Sequence, residues 1–394
     1  MNPQALYDLS SLARLMSVGV VLAIGPIAWV WLRKRSGGRT PPLHTLTLIT
    51  LLLTFDLVLF GTFTRLTDSG LGCPDWPGCY GNASPLGAHA DIAVAQSAMP
   101  SGPVTRDKAW IEMIHRYLAT GVGVLILVLA VASWLAPNRK LTAGSAKAAS
   151  SSPWLATVTL VWVCLQGAFG ALTVTMKLFP AIVTLHLIGG QVLLALLCAQ
   201  VVRQSQLRTG AEPAPVSPAV RGLLWATFAL LVAQIALGGW VSTNYAVLAC
   251  NEFPRCQNSW WPEMDFEQGF QIWRRLGFTQ QGEHIGFAAL TAIHYTHRMM
   301  AAVVLLAAGA LAWALSRVDG MRAPSRWIAV LIGLQLATGL SNVVLDWPLL
   351  AALLHTGGAG ALVVVMTWAV CASRAVADPA ALHGGARNGA RLNA

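Results

Sequence analysis

Long apolar stretches separated by short polar segments make up most of this chain. Nine of these stretches are long enough to cross a bilayer, which takes about 20 residues of α-helix. They cover residues 12–32, 44–64, 107–135, 153–176, 181–202, 220–241, 288–316, 325–344 and 349–373. The pattern therefore predicts an all-α integral membrane protein with nine transmembrane helices.

The composition supports a membrane protein and argues against nucleic-acid binding. Of the 394 residues, 55% are hydrophobic and only 11% are charged, whereas soluble domains carry about a quarter charged residues. The net charge of +10 comes from short basic clusters after alternate apolar stretches, not from one continuous basic face. Such clusters mark the cytoplasmic side of a membrane protein. We therefore expect no nucleic-acid partner.

The same clusters predict the topology. They follow the first, third, fifth, seventh and ninth stretches. We therefore expect a protein of the bacterial inner membrane, with its N-terminus outside and its C-terminus on the cytoplasmic side. Residues 1–11 lack the basic start of a signal peptide, so the first span is expected to be retained. The two longest loops, 65–106 and 242–287, then lie outside.

Each outer loop carries a pair of cysteines six positions apart. The first loop has Cys73 and Cys79, and the second has Cys250 and Cys256. The space outside a bacterial inner membrane is oxidising, so such pairs can form disulfides there.

The chain contains an internal repeat, which is a strong guide to its architecture. Three segments recur in the same order: 112–119 as 294–301, 61–79 as 239–256, and Gln166, Gly170, Pro180 and His186 as Gln335, Gly339, Pro348 and His355. The repeat predicts two pseudo-symmetric four-helix bundles, 44–203 and 220–375, joined by a cytoplasmic linker, 204–219. An extra N-terminal span with a basic loop, 1–43, precedes them, and a cytoplasmic tail, 376–394, follows.

Four histidines occupy repeat-equivalent positions inside spans: His115, His186, His297 and His355. Ionisable residues within a membrane are costly and suggest function. Two helices of one bundle could place two imidazoles on opposite faces of a haem. A single histidine could instead be structural or relay protons. Zinc is less favoured, because the paired histidines come from separate helices with no carboxylate or thiolate near both. A di-iron site would want a repeated Glu-x-x-His with further carboxylates, and only Glu112-x-x-His115 is present.

Glu112 lies one helical turn before His115 and hence on the same helix face. A carboxylate there could act as a general base or stabilise developing positive charge. Alternatively, it is an interfacial glutamate paired with Arg116 or Lys108. In the second half His294 replaces it, where it could line a pocket or hydrogen-bond to the loop.

These residues resemble the haem A synthase family. The run Thr64-Arg-Leu-Thr-Asp-Ser-Gly-Leu71, followed by Cys73-Pro-Asp-Trp-Pro77, is similar to the first outer loop of that family. Glu112-x-x-His115-Arg116, the His186 segment, Gly238-Gly-Trp-Val241, His297-Arg298 and His355 follow in the family's order. The resemblance covers nearly all of 44–375, but the first span lies outside the family's eight-helix core.

The resemblance implies an enzyme that oxidises a methyl group of haem O to a formyl group, giving haem A for cytochrome oxidase. His115 and His186 would flank the substrate haem, with Glu112 as the catalytic carboxylate. His297 and His355 would ligate a resident haem B that passes electrons.

The resemblance also implies roles for the cysteines. Cys73 and Cys79 match a pair thought to form a disulfide that takes part in electron transfer or substrate handling. Cys250 and Cys256 match a second pair found in some members.

Arginines near the outer interface could bind haem propionates, since guanidinium binds carboxylates in a two-pronged geometry. The candidates are Arg65, Arg116 and Arg298, and anchoring of the topology is the alternative. The expected partners are haem O, supplied by the farnesyltransferase that forms it, membrane lipid and cytochrome oxidase assembly factors. A homo-oligomer is a further possibility.

Two other classes of protein use similar features. A di-haem b-type electron-transfer protein would need both histidine pairs but no substrate and no Glu112. A non-haem transporter or assembly chaperone could also contain a twofold repeat, although the repeats of this chain have parallel topology. Purified protein of that class would be colourless.

Overall fold

The computed structural model describes residues 10–37, 40–136 and 152–375. Within those ranges, nine helices are long and apolar enough to cross a membrane, which confirms the predicted nine spans. They are α1 (Ser10–Arg35), α2 (Pro42–Leu66), α4 (Arg106–Leu135), α5 (Pro153–Thr175), α6 (Pro180–Thr209), α7 (Pro218–Thr243), α9 (Phe287–Ser316), α10 (Arg322–Val344) and α11 (Leu349–Cys371). The predicted tail, 376–394, and residues 1–9 of the N-terminal segment lie outside the described residues.

Shorter elements lie between these helices. The first long loop contains α3 (His89–Ala98), and the second contains a 3₁₀ turn (Ala246–Leu248) and α8 (Phe266–Gly269). Two three-residue strands, β1 (Ala214–Val216) and β2 (Ser373–Ala375), pair in parallel. Because β1 precedes α7 and β2 follows α11, this pairing ties the connection between the halves to the end of the last helix.

Several helix starts have a local cause. Proline occupies the first turn of α2, α5, α6 and α7, where its missing N–H costs nothing. The Thr105 hydroxyl accepts from the Lys108 N–H at the start of α4, at 3.4 Å. Such caps satisfy N–H groups that have no partner within the helix.

Helix α6 runs seven residues past the predicted end of its apolar stretch at 202, to Thr209. The additional turns are polar, and two glutamines attach them to neighbouring helices. Gln204 donates to the Thr47 hydroxyl at 3.3 Å, and Gln206 donates to the Cys371 carbonyl at 2.9 Å. The helix ends at Gly210, whose φ of 69° is the left-handed conformation that glycine adopts without strain. The predicted linker, 204–219, therefore includes the last turns of α6 and all of β1.

The helices form two four-helix groups that meet at a seam. α2, α4, α5 and α6 pack together, as do α7, α9, α10 and α11, and the seam lies between α2 and α6 on one side and α7 and α11 on the other. Helix α1 packs mainly along α4. Gly19 of α1 lies against Thr120 of α4, and a larger side chain at position 19 would collide with the α4 backbone. Small residues allow such close approach of helices in membranes.

Both long loops lie at one end of the helices, which we call the loop end. Three contacts there join the halves. Arg65 donates to the Ser242 carbonyl at 2.5 Å, and the Tyr245 hydroxyl donates to Asp68 at 2.6 Å. The Arg65 guanidinium also lies 4.1 Å from the centre of the Tyr245 ring. Partial burial raises the pKa of Tyr245, which keeps its hydroxyl protonated as a donor.

Candidate functional site

The four repeat-equivalent histidines lie at similar depths below the loop end. Each is on a helix that starts at that end: His115 on α4, His186 on α6, His297 on α9 and His355 on α11. At 1.5 Å per residue, they lie about 9 to 15 Å along the axis from the helix starts. The fold therefore presents one histidine pair in each half.

The second pair has the spacing that a shared metal atom requires. The ring centres of His297 and His355 are 6.5 Å apart, and the ring planes cross at 82°. Imidazole–metal bonds are about 2 Å long, so rings on opposite sides of one metal atom have centres about 6 Å apart. The pair therefore fits axial ligation of one haem iron.

The first pair has unsatisfied ring nitrogens. The Nδ1 atoms of both His115 and His186 are buried without a hydrogen-bond partner, which is uncommon in folded proteins and calls for an explanation. Ligation of a haem iron through the other ring nitrogen, Nε2, would account for the placement of two imidazoles in an apolar slot. Among the residues that the structure describes, no three His, Cys, Asp or Glu side chains converge as a metal site. Each pair thus offers two ligands, the number that the two axial positions of a haem can take.

A glycine on the neighbouring helix faces each histidine ring. A β-carbon built on these glycines would come within 3.3 Å or less of the ring Cε1: 2.9 Å for Gly61 and His115, 3.3 Å for Gly170 and His186, 3.0 Å for Gly238 and His297, and 3.1 Å for Gly339 and His355. Glycine therefore leaves the space that each ring occupies.

These glycines were visible in the sequence as repeated or family-like positions, but their contact with the histidine rings was not predicted. The contacts also correct the repeat by one residue. Gly61 and Gly238 are equivalent because both face the first histidine of their half, so 61–79 corresponds to 238–256 and not to 239–256. The corrected segments have equal length, which preserves the cysteine spacing.

Two glutamines fix the backbone at the second histidine of each half. Gln166 donates to the His186 carbonyl at 3.0 Å, and Gln335 donates to the His355 carbonyl at 2.8 Å. Both glutamines were noted as repeated residues, and the structure shows what they bind.

Glu112 is buried, with 4% of its surface exposed, and both of its carboxylate oxygens accept hydrogen bonds. The Arg116 guanidinium donates to Oε1 at 2.5 Å, and the Cys73 backbone N–H donates to Oε2 at 2.7 Å. The predicted alternative of an ion pair with Arg116 is thus present, whereas Lys108 donates to the Gly102 carbonyl instead. Glu112 attaches the first cysteine loop to α4, one turn from His115.

His294 occupies the same position in the second half. The Cys250 N–H lies 3.4 Å from its Nδ1, and the Arg298 Nε lies 3.3 Å from its Nε2. A neutral imidazole accepts at only one nitrogen, so His294 satisfies one of these donors at a time. Of the two predicted roles for His294, these contacts support hydrogen bonding to the loop.

The cysteine loops have the same fold in both halves. Cys73 is joined to Cys79 and Cys250 to Cys256 as disulfides, and all four cysteines are fully buried. Inside the first loop, Asp75 accepts from the Tyr80 and Gly81 N–H groups at 2.6 and 2.7 Å. The repeat places Glu252 at the position of Asp75, and it accepts from the Asn258 N–H.

The three arginines proposed for propionates all bind groups of the chain itself. Arg116 donates to the carbonyls of Asp75, Pro77 and Gly78 as well as to Glu112. Arg298 donates to the Cys250 and Arg255 carbonyls, and Arg65 bridges the halves. Their contacts explain how the loops are fixed, and binding of propionates stays a prediction.

These features define a multi-pass membrane protein built from two related four-helix halves, each with a half-buried histidine pair below a disulfide-bonded loop. The COX15-CtaA family model, described as cytochrome oxidase assembly protein, matches residues 44–367. The chain belongs to this family. The match begins at α2, so α1 lies outside it.

Proteins named Heme A synthase are among its relatives. The chain is 36% identical to one from Shewanella oneidensis over 325 residues, which cover 81% of this chain and 92% of that protein. It is 26% identical to one from Rhizorhabdus wittichii, over 82% of this chain and 91% of that protein. It is 25% identical to one from Halalkalibacterium halodurans, over 76% and 86% respectively.

Proposed function

We propose that this chain is a haem A synthase, which oxidises one methyl group of haem O to a formyl group and so forms haem A. The first half binds the substrate haem between His115 and His186. The second half binds a resident haem B between His297 and His355. Family membership and the names of the relatives support the reaction, and the paired histidines support the two haem sites.

The observation that supports catalysis in the first half is the difference between Glu112 and His294. Both side chains attach a cysteine loop to a helix one turn before the first histidine of their half. Since a neutral imidazole fills that place in the second half, attachment alone does not require a carboxylate. The negative charge of Glu112 is then available for the reaction.

The reaction removes four electrons from the methyl carbon and releases four protons, two from the methyl group and two from the water that supplies the oxygen. The first two-electron oxidation converts the methyl group and one water to a hydroxymethyl group. The second adds another water and gives a gem-diol, which loses water to become the formyl group. Each oxidation develops positive charge on the methyl carbon, and a carboxylate in a buried, low-dielectric site stabilises such charge strongly.

The hydrogen bonds to Glu112 suit this role. Arg116 and the Cys73 N–H hold one oxygen each, which fixes the carboxylate before the reaction, so little reorganisation is needed as charge develops. Each oxygen keeps a second lone pair, so Glu112 can also accept a proton from the attacking water. The Cys73–Cys79 disulfide closes the loop that carries this N–H.

In the second half, haem B would carry electrons from the substrate haem to an external acceptor. His297 and His355 would hold it, and the glycines that face them leave space for the rings. The Cys250–Cys256 disulfide closes the matching loop. Arg65, Arg116 and Arg298 lie at the loop end, where they could bind propionates with donors not used by the chain.

We further propose that the loop end faces the outside of a bacterial inner membrane, with the N-terminus outside and the C-terminus in the cytoplasm. The basic residues at the end of α1, Arg33, Lys34 and Arg35, support this orientation. Haem O would come from the farnesyltransferase that makes it. Oxidase assembly factors and a second copy of the chain are further candidate partners.

The test is to express the protein in cells that make haem O but lack any other source of haem A, and to identify the extracted haems by mass. Haem A or its hydroxymethyl intermediate, absent from cells with an empty vector, would support the proposal. Haem B alone, with no oxidised haem O, would leave a bis-histidine di-haem b-type cytochrome. Colourless purified protein would rule out both the haem A synthase and the di-haem cytochrome.

A further inference from the structure

The two histidine pairs differ in what their Nδ1 atoms contact. In the second half, the Thr338 hydroxyl oxygen lies 3.0 Å from the His355 Nδ1, and the Gln234 amide nitrogen lies 3.1 Å from the His297 Nδ1. In the first half, no residue that the structure describes offers a hydrogen-bond partner to the buried Nδ1 atoms of His115 and His186. The two halves therefore place their histidines alike but differ in the contacts made by the histidine Nδ1 atoms.

The Thr338 contact has a defined direction. Its hydroxyl has one proton, which it donates to the Leu334 carbonyl at 2.7 Å. The oxygen is then left as an acceptor, so the proton of this hydrogen bond belongs to the His355 Nδ1. With Nδ1 protonated, Nε2 carries the lone pair and is the nitrogen free to bind iron.

Gln234 supplies an equivalent group to His297. Its amide nitrogen donates to the His297 carbonyl at 3.2 Å, while its Oε1 is buried without a partner. A flip of the amide would bring this acceptor to Nδ1 once Nδ1 carries the proton, in exchange for the hydrogen bond to the His297 carbonyl. In the second half, His355 thus has an acceptor at Nδ1, and His297 has one once the Gln234 amide is flipped.

The first half has apolar residues at both positions. Phe169 is equivalent to Thr338, because each directly precedes the glycine that faces the second histidine of its half. Leu57 is equivalent to Gln234, because each lies four residues before the glycine that faces the first histidine. Neither side chain can accept a hydrogen bond. The difference in hydrogen bonding to Nδ1 thus follows from different residues at two repeat-equivalent positions.

We infer that Thr338 and Gln234 are positioning residues that make the second pair a haem-retaining site, and that Phe169 and Leu57 leave the first pair as an exchange site. A hydrogen bond to the other ring nitrogen orients a ligating histidine and makes it a stronger ligand, and its loss costs about 10- to 100-fold in affinity. An enzyme that takes up haem O and releases haem A needs rapid exchange at one site only. The inference rests on the proposed function for its assignment of substrate and resident haem.

The test uses Thr338→Val, which keeps the shape of the side chain but removes the acceptor. The rate at which purified full-length protein loses haem B to apomyoglobin should rise about 10- to 100-fold. The midpoint potential of that haem, measured by spectroelectrochemistry, should become more positive, because a weaker imidazole donor stabilises ferric iron less. Thr338→Ser should restore both values. Thr367→Val is the matched control, since Thr367 is a buried threonine on α11 that bonds only to its own helix.

The reverse change should convert the first site. Phe169→Thr places a hydroxyl where the second half has Thr338, and haem bound by the first pair should then leave more slowly than in the wild type.

The outcomes separate this inference from the proposed function. If His355→Ala loses haem B but Thr338→Val keeps the wild-type loss rate and potential, the site assignment stands and the inference fails. Wild-type protein that binds no haem overturns both.

Discussion

The two halves attach their cysteine loops to a helix with different side chains in the same position. Glu112 accepts from the Cys73 N–H and Arg116 at 2.7 and 2.5 Å. His294 faces the equivalent donors of the second half, the Cys250 N–H and Arg298, at 3.4 and 3.3 Å. The carboxylate accepts both hydrogen bonds together, and the neutral ring accepts one. The loop is held in each half, so the difference lies in charge and in how firmly the acceptor is fixed.

A second comparison points the same way. The half with the carboxylate leaves its histidine Nδ1 atoms unpartnered, while the other half pairs them with Thr338 and Gln234. The first half therefore combines the negative charge of Glu112 with histidines whose Nδ1 atoms lack a contact. The second half combines the neutral ring of His294 with histidines whose Nδ1 atoms have one. A substrate site and a retained redox centre would differ in these two respects.

The largest effect should come from removing one histidine in each half. His186→Ala should abolish oxidised haem while haem B stays bound, because the substrate haem loses an axial ligand. His355→Ala should remove haem B, seen as loss of the b-type absorption bands. Extraction of haems from both variants checks this, and identical haem contents would show that the halves are not specialised.

Crowding a histidine ring should have the next largest effect. In Gly339→Ala, the new β-carbon would lie 3.1 Å from the His355 Cε1, and overpacking of this kind costs about 1–3 kcal/mol. We expect haem B to bind about tenfold or more weakly. Gly333→Ala on the same helix is the control, since no atom lies within 4 Å of its added carbon. Equal haem affinity in both variants would contradict the fit of ring to glycine.

Opening the first disulfide should slow the reaction more than opening the second. Cys73→Ser with Cys79→Ser frees the loop whose N–H holds Glu112, and a hydrogen bond to a charged group contributes about 1.5–3 kcal/mol. We expect about a tenfold lower rate of haem O oxidation. Cys250→Ser with Cys256→Ser should leave that rate nearly unchanged. The comparison fails if the second pair matters as much as the first.

The smallest effect should follow loss of a backbone contact. Gln335→Met removes the hydrogen bond to the His355 carbonyl, which contributes about 0.5–1.5 kcal/mol. The temperature at which detergent-solubilised protein releases haem B should fall by a few degrees, as absorbance would show. Gln204→Met removes a bond far from the loop end and should leave that temperature unchanged.

The sequence predicted the nine spans because a long apolar stretch is the main signal of a helix that crosses a membrane. The repeat indicated equivalent positions for the four histidines, and their ligation of haem stays a prediction. It did not predict that Gly61 faces His115 or that Thr338 faces His355. Such contacts depend on how each helix is rotated against its neighbour, which hydropathy does not encode. The end of α6 at Thr209 was missed for a related reason, since its last turns are held by Gln204 and Gln206 and not by apolar burial.

The central claim is that Glu112 contributes a charge that attachment of the loop does not require. The most direct test is Glu112→His, which installs the residue of the second half at the same position. Expressed in cells that make haem O, this variant should fold, keep haem B and bind haem O, yet yield no haem A and no hydroxymethyl intermediate. Haem A at the wild-type level from Glu112→His would show that the carboxylate only attaches the loop, and would contradict the claim.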